Sequence, residues 1–190
     1  MLPLLPVILI LVIASSNIFK PFFSRKLVHI GCGLVLASIN YPHGSTKYAV
    51  IFIAVAAIIV SVLKPFKFGQ KNDIGIISYN LVILAFVLAK QPIRILLPMF
   101  IVDPVAGIIG KTVKSPRWCH TKTVAGTAAA AISAYITLYY VRIQSHRILL
   151  SIILALIEGG LKYYDNIGIT SVIAGYYFLS QKMNWVTITH

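Results

Sequence analysis

Residues 100–131 read FIVDPVAGIIGKTVKSPRWCHTKTVAGTAAAA, and the fold turns on this stretch. Asp103 lies inside an apolar run, and Gly110-Lys111-Thr112 has the letters that end a P-loop. A P-loop is written G-x-x-x-x-G-K-[ST] and follows a β-strand. Its first glycine would be residue 105, which is Val105; the nearest glycine is Gly107, and no strand pattern comes before it. A P-loop fold is therefore excluded. What remains is an apolar helix over 93–110, a basic loop, and a second apolar helix over 123–141.

The same alternation runs through the whole chain. Of its 190 residues, 58% are hydrophobic and 11% are charged, with mean hydropathy +0.88. Soluble domains are about 45–50% apolar and about 25% charged, so composition alone indicates a membrane protein. Apolar segments predict further helices over 2–18, 27–40, 47–63, 74–89, 147–162 and 167–181. The expected fold is all-α and polytopic, with about seven or eight transmembrane or re-entrant helices. No Gly- or Ser-rich linker and no repeat divides it, so residues 1–190 are expected to form one membrane domain, with helix 2–18 peripheral. The start, MLPLLPVILILVIASS, lacks a basic region ahead of its apolar run and reads as a first membrane helix rather than a removed leader.

The formal charge is +13. The basic residues occupy short gaps between apolar runs rather than one face, which argues against nucleic acid as a partner. Assigned alternately to two sides, the gaps divide unequally. Eleven of the 17 basic residues fall on the side of 19–26, 64–73, 111–122 and Lys162. The excess of Lys and Arg places that side in the cytosol. Cys32 and Cys119 are far apart and have no metal or redox spacing.

Acids are the scarce residues: Asp73, Asp103, Glu158 and Asp165 are the only four. Each costs about 2.5–3.5 kcal/mol at the centre of a membrane helix, so each asks for a reason. Asp73 can cap the helix that begins at Ile74. Glu158 can pair with Lys162 one turn on. Asp165 can serve the turn Tyr164-Asp165-Asn166. Asp103 has no cation at i±4, and a buried acid needs a partner such as a metal ion or a distant lysine. Against these acids stand two basic clusters. Lys111, Lys114, Arg117 and Lys122 fill one loop, with Thr123 and Gly126 opening the next helix as a possible anion site. Ser24-Arg25-Lys26-Leu27-Val28-His29 forms the other, with Arg25 and His29 on one helical face. The plain alternative for the first cluster is a cytosolic loop that meets lipid headgroups.

Taken in order, these pieces resemble the CTP-dependent polyprenol kinase group, which includes dolichol kinase, phytol kinase and the CTP-using diacylglycerol kinase. Arg25-Lys26 with His29, followed by Gly31 and Gly33, is similar to the family's R-K-x-x-H entry into a helix. Asp73-Ile74-Gly75 with Tyr79 is similar to a short family element. Asp103 through Lys111 resembles D-x-x-A-x-x-x-G-[RK], Lys122 through Thr127 resembles K-[ST]-x-E-G-[ST], and Glu158 with Asp165-Asn166 resembles the E…D-N ending. The resemblance spans residues 24 to about 170. The chain departs from the pattern at Ala125, where the family has Glu, and has no proline after Asp165-Asn166.

The resemblance implies transfer of the γ-phosphoryl of CTP to a lipid alcohol at the cytosolic face of the endoplasmic reticulum or of a bacterial or archaeal plasma membrane. The alcohol would be a polyprenol, a phytol-like alcohol or diacylglycerol. Asp103, Asp165 and Glu158 would serve a Mg²⁺ ion. Arg25, Lys26, Lys111 and Lys122, with Gly107, Gly110, Thr123, Gly126 and Asn166, would hold the nucleotide. Asp103 or His29 would accept the alcohol proton. Phosphatidate cytidylyltransferase, another membrane enzyme that uses CTP and Mg²⁺, is the alternative. Its later signature, a Lys-Asp ahead of a Pro-Gly-His-Gly-Gly-like run, is missing from 165–174. A small cation-coupled transporter, with Asp103 and Glu158 lining a path, is a third possibility.

Overall fold

The computed structural model describes residues 4–16, 18–63, 68–119, 122–161 and 164–188. Among these the chain forms eight α-helices: α1 (Leu5–Ser15), α2 (Pro21–Ile39), α3 (Gly44–Leu63), α4 (Ile74–Leu88), α5 (Leu97–Thr112), α6 (Val124–Thr137), α7 (Gln144–Gly160) and α8 (Asp165–Gln181). A 3-10 turn, Ile93–Leu96, leads into α5. Two short antiparallel strands, β1 (Arg117–Cys119) and β2 (Lys122–Thr123), stand between α5 and α6.

The helix ends follow local chemistry. Proline in the first turn starts α1, α2 and α5, where a missing N–H costs nothing. The Asp73 carboxylate accepts from the N–H groups of Gly75 (3.0 Å) and Ile76 (3.3 Å) and caps α4. Thr123 caps α6 by accepting from the Gly126 N–H at 3.2 Å. Asn40 ends α2 at φ 58°, a conformation that asparagine tolerates better than most residues. Its backbone carbonyl then accepts from the Ile93 N–H at 3.0 Å and its side chain accepts from the Arg94 N–H at 3.1 Å.

The chain divides into two compact units, Met1–Arg94 and Ile95–His190. In the first, α1 lies on α2 and α3 on α4. A Cβ added to Gly31 would meet the Ile10 side chain at 2.8 Å, so glycine is what lets α1 sit close. In the second, α5 runs along α6, α6 along α7 and α7 against α8, while α5 also touches α7 and α8. Phe100, Leu154, Ile169, Ile173 and Tyr177 fill its centre. The Tyr140 hydroxyl donates to the Ile95 carbonyl at 3.0 Å inside this core.

Three helices are long and apolar enough to cross a membrane: Pro21–Ile39, Gly44–Leu63 and Ile93–Thr112. The remaining helices are shorter than the roughly 20 residues that a straight crossing takes; α1, α4 and α6 have 11, 15 and 14. Large apolar side chains such as Phe52, Ile132, Ile136 and Leu179 point outward, as a lipid-facing surface requires.

Two boundaries differ from expectation. Helix α2 begins at Pro21 rather than at residue 27, so Arg25 and Lys26 lie on the helix with His29 and not ahead of it. Helix α5 runs on through Lys111 and Thr112, so the Gly-Lys-Thr triplet is helical rather than a loop. Thr112 returns its hydroxyl to the Ile108 carbonyl at 3.0 Å.

Candidate functional site

In the first unit, the basic cluster on α2 meets the start of α4. The Arg25 guanidinium donates to Asp73 Oδ1 at 2.8 Å, the same oxygen that caps the helix. Gly75 makes room for this approach, because a Cβ there would collide with the guanidinium. One turn further along α2, the His29 ring stands edge-on to Tyr79 with centroids 4.5 Å apart. The Tyr79 hydroxyl donates to the His29 carbonyl at 3.1 Å. Lys26 is buried, with its ammonium 5.8 Å from the centroid of the Phe22 ring. Arg25 with Asp73 and His29 with Tyr79 thus join α2 to α4, while Lys26 contacts Phe22 on its own helix.

The second unit gathers charge at one end. Gly110, near the end of α5, faces Gly126 in the first turn of α6. Tyr135 near the end of α6 accepts through its carbonyl from Arg147 in the first turn of α7. Gly168 of α8 abuts Ile157 and Leu161 at the end of α7. Successive helices therefore run antiparallel. The end of α5 (Lys111), β2 ahead of α6 (Lys122), the end of α7 (Glu158) and the start of α8 (Asp165, Asn166) therefore come to the same end of this unit. In this set Lys122 donates to Glu158. The Lys122 side chain is 24% exposed and that of Glu158 only 1%, so the carboxylate backs the ammonium from inside. The sequence offered Lys162 as the partner of Glu158; Lys162 lies outside the described residues, and the contact seen among the described residues is with Lys122.

Asp103 lies on the same face of α5 as Ala106 and Gly110. Thr170 of α8 donates its hydroxyl to Met99 Sδ of α5 at 3.2 Å. Asp103 is one turn beyond Met99, and Asn166 is one turn before Thr170. On antiparallel helices these two residues come to one level. Asn166 is buried, and its N–H bonds to the carboxylate of Asp165, the first residue of α8. Pro104, buried within α5, removes one N–H from the helical ladder beside Asp103.

Among the described residues no group of three or more His, Cys, Asp or Glu side chains is placed to hold a metal ion. Glu158 is engaged by Lys122 and does not complete a carboxylate trio with Asp103 and Asp165. A magnesium ion that keeps phosphate and water ligands needs only one or two carboxylates.

The glycines and the helix start have structural occupations. A Cβ on Gly126 would come within 2.9 Å of the Ala106 carbonyl oxygen, so Gly126 and Gly110 form the close crossing of α5 and α6; Gly107 is a neighbour on α5. The first N–H groups of α6 are already taken. Val124 donates to the Pro116 carbonyl (2.9 Å), Ala125 to Ser115 Oγ (3.0 Å) and Gly126 to Thr123 Oγ1. The anion site expected at this helix start is thus filled by the chain itself. Lysine side chains are left as the groups that can meet phosphate.

Three residues of this region carry no signal in the sequence reading: Ser115, Trp118 and Gly159. Trp118, in β1, donates its indole N–H to Thr127 Oγ1 at 2.7 Å and lies against Gly159, where an added Cβ would strike the ring. A tryptophan in a stretch otherwise rich in charge was the available hint.

Comparison of the chain with protein-family profiles, with curated proteins and with solved structures finds no match.

Proposed function

We propose that the chain is a lipid kinase that transfers the γ-phosphoryl group of CTP to the hydroxyl of a lipid alcohol, at the cytosolic face of the membrane. The observation that carries this reading is the contact between Lys122 and Glu158. It joins two motifs that are 36 residues apart in sequence, and it does so beside Asp165, Asn166 and the end of α5.

Phosphoryl transfer asks the protein mainly for positioning and charge neutralisation. Lys122 meets phosphate oxygens with the donors that Glu158 does not use, since an ammonium has three. Lys111, exposed at the last turn of α5, adds positive charge at the same end. The alcohol oxygen bonds to the γ-phosphorus, the bond from that phosphorus to the β,γ-bridging oxygen breaks, and CDP leaves. Asp103, on the level of Asn166, accepts the alcohol proton. Magnesium, held by Asp103 and Asp165 together with phosphate oxygens, would neutralise charge on the nucleotide. Apolar outer faces let the lipid tail stay in the bilayer while its hydroxyl reaches the rim.

The test uses membranes that contain the protein, with Mg²⁺, a panel of lipid alcohols and phosphatidate, and CTP labelled at the α- or the γ-phosphate. Label reaching lipid from γ-CTP alone supports the kinase, and Asp103→Asn then lowers the rate by at least about 100-fold, the scale of a lost general base. Label from α-CTP alone identifies a cytidylyltransferase and overturns the proposal. No transfer from either rejects both.

A further inference from the structure

After α5, residues 115–119 lie over the start of α6, and β2 places Lys122 on Glu158. The contacts of this segment with α6 are specific: Pro116 and Ser115 occupy the Val124 and Ala125 N–H groups. The β1–β2 ladder is minimal, with Arg117 opposite Thr123, Cys119 opposite Lys122 and an irregularity between them. Two strands of three and two residues do not hold themselves in place.

Something else fixes the segment, and the contacts identify it. Trp118 is 45% exposed, which is unusual for a tryptophan with no other task. Its indole N–H is bonded to Thr127, one turn into α6, and its six-membered ring covers Gly159 of α7. Gly159 is the neighbour of Glu158, and Trp118 lies in the strand paired with Lys122. One side chain therefore ties β1 to α6, which follows Lys122 directly, and to α7, which carries Glu158.

We infer that Trp118 is a positioning residue, the pin of a strap that holds the Lys122 ammonium against the buried Glu158 carboxylate and presents its remaining donors to an anionic, phosphate-bearing ligand. The nature of that ligand rests on the kinase reading; the strap does not. With the pin in place, Lys122 keeps one orientation, and a phosphate group meets an ammonium that has already lost its rotational freedom. Without it, β1 lifts, and Lys122 must be ordered again each time the ligand binds. Chemistry on bound substrate is little changed, because Trp118 reaches the reaction only through Lys122.

The experiment uses the full chain in liposomes, with Cys32→Ser so that Cys119, in β1 beside Trp118, is the thiol observed. Trp118→Phe keeps a ring over Gly159 but loses the N–H; Thr127→Val removes its acceptor. Both variants are expected to raise the rate of Cys119 maleimide labelling by a similar factor of roughly three to ten, the worth of one hydrogen bond, with no further rise in the double variant. The KM for CTP rises by about the same factor, while kcat stays within about twofold. Unchanged labelling in both single variants, or effects that multiply in the double, overturns the strap. A fall in kcat with KM unchanged overturns the positioning role. If the parent protein transfers no phosphoryl group, the kinase reading fails alone, and the labelling rates still decide whether Trp118 holds the strap.

Discussion

The Lys122–Glu158 pair shows how one residue's role depends on what surrounds it. A carboxylate that is 1% exposed is costly without a counter-charge, and its partner comes from the start of another helix. Removing one member of a fully buried pair costs about 3–5 kcal/mol, and the partial exposure of Lys122 lowers that figure here. Lys122→Met should therefore destabilise the protein by about 2–3 kcal/mol, and Glu158→Gln, which keeps an acceptor for the ammonium, by less. The double variant Lys122→Met/Glu158→Leu should recover most of the loss, because no buried charge is left. Thermal unfolding in detergent orders the three; a double variant less stable than Lys122→Met rules out the buried pair as the cause. The sequence held half of this. Asp73 was legible as a cap because the N–H groups that donate to it lie two and three residues away on the same turn. The partner of Glu158 was not, because spacing along one helix suggested Lys162, while the contact that forms depends on how α6 meets α7.

At the scale of elements, the helices were legible and the strap was not. Eight apolar segments in the sequence became eight helices in the same order, because apolar runs bounded by basic gaps satisfy their own N–H and C=O groups within a helix. The strands at 117–119 and 122–123 are too short for alternation to register, and their side chains are mostly charged or aromatic. The glycines were read as room for phosphate, and the structure uses two of them as room for a helix. The Gly110–Gly126 crossing gives a direct test. In Gly126→Ala the new methyl group meets the Ala106 carbonyl oxygen, a backbone atom that cannot turn aside. The expected loss is about 1–3 kcal/mol, the range for overpacking. Gly175, inside α8, has open space where a Cβ would go, so Gly175→Ala should stabilise by up to about 1 kcal/mol through helix propensity. The pair is compared by thermal unfolding; equal effects at both glycines remove the argument for a close crossing.

At the scale of the whole molecule, the question is which helices cross the bilayer, and α6 is the sharpest case. With 14 residues it is about 21 Å long, against about 30 Å of hydrocarbon. Length alone leaves it short of a crossing, yet its two ends look like opposite surfaces. One end carries Lys114, Arg117 and Lys122 and the acids of the site. At the other, Arg147 stands over the Tyr135 ring at 4.2 Å, and the His146 ring lies against Tyr176 and Trp185. Aromatic rings beside arginines are the side chains that settle at a membrane–water interface, and an excess of Lys and Arg marks the cytosolic side. The aromatic end also holds the segment after α8 in place, through Arg142 N–H to the Trp185 carbonyl (2.8 Å) and a bridge between Val141 and Val186. The proposal that the charged end faces the cytosol then makes a definite prediction. In sealed vesicles of known sidedness, a membrane-impermeant maleimide should reach Lys114→Cys only from the cytosolic face and Arg142→Cys only from the opposite face, each in a background with Cys32 and Cys119 replaced by serine. Labelling of both from one face would make α6 re-entrant. The aromatic end would then lie within the protein rather than at a second interface, and the alternate assignment of the basic loops would fail from α6 onward. Labelling from opposite faces means that α6 crosses with the help of its flanks: the strap extends it on the charged side, and the Leu138–Tyr140 turn extends it on the aromatic side.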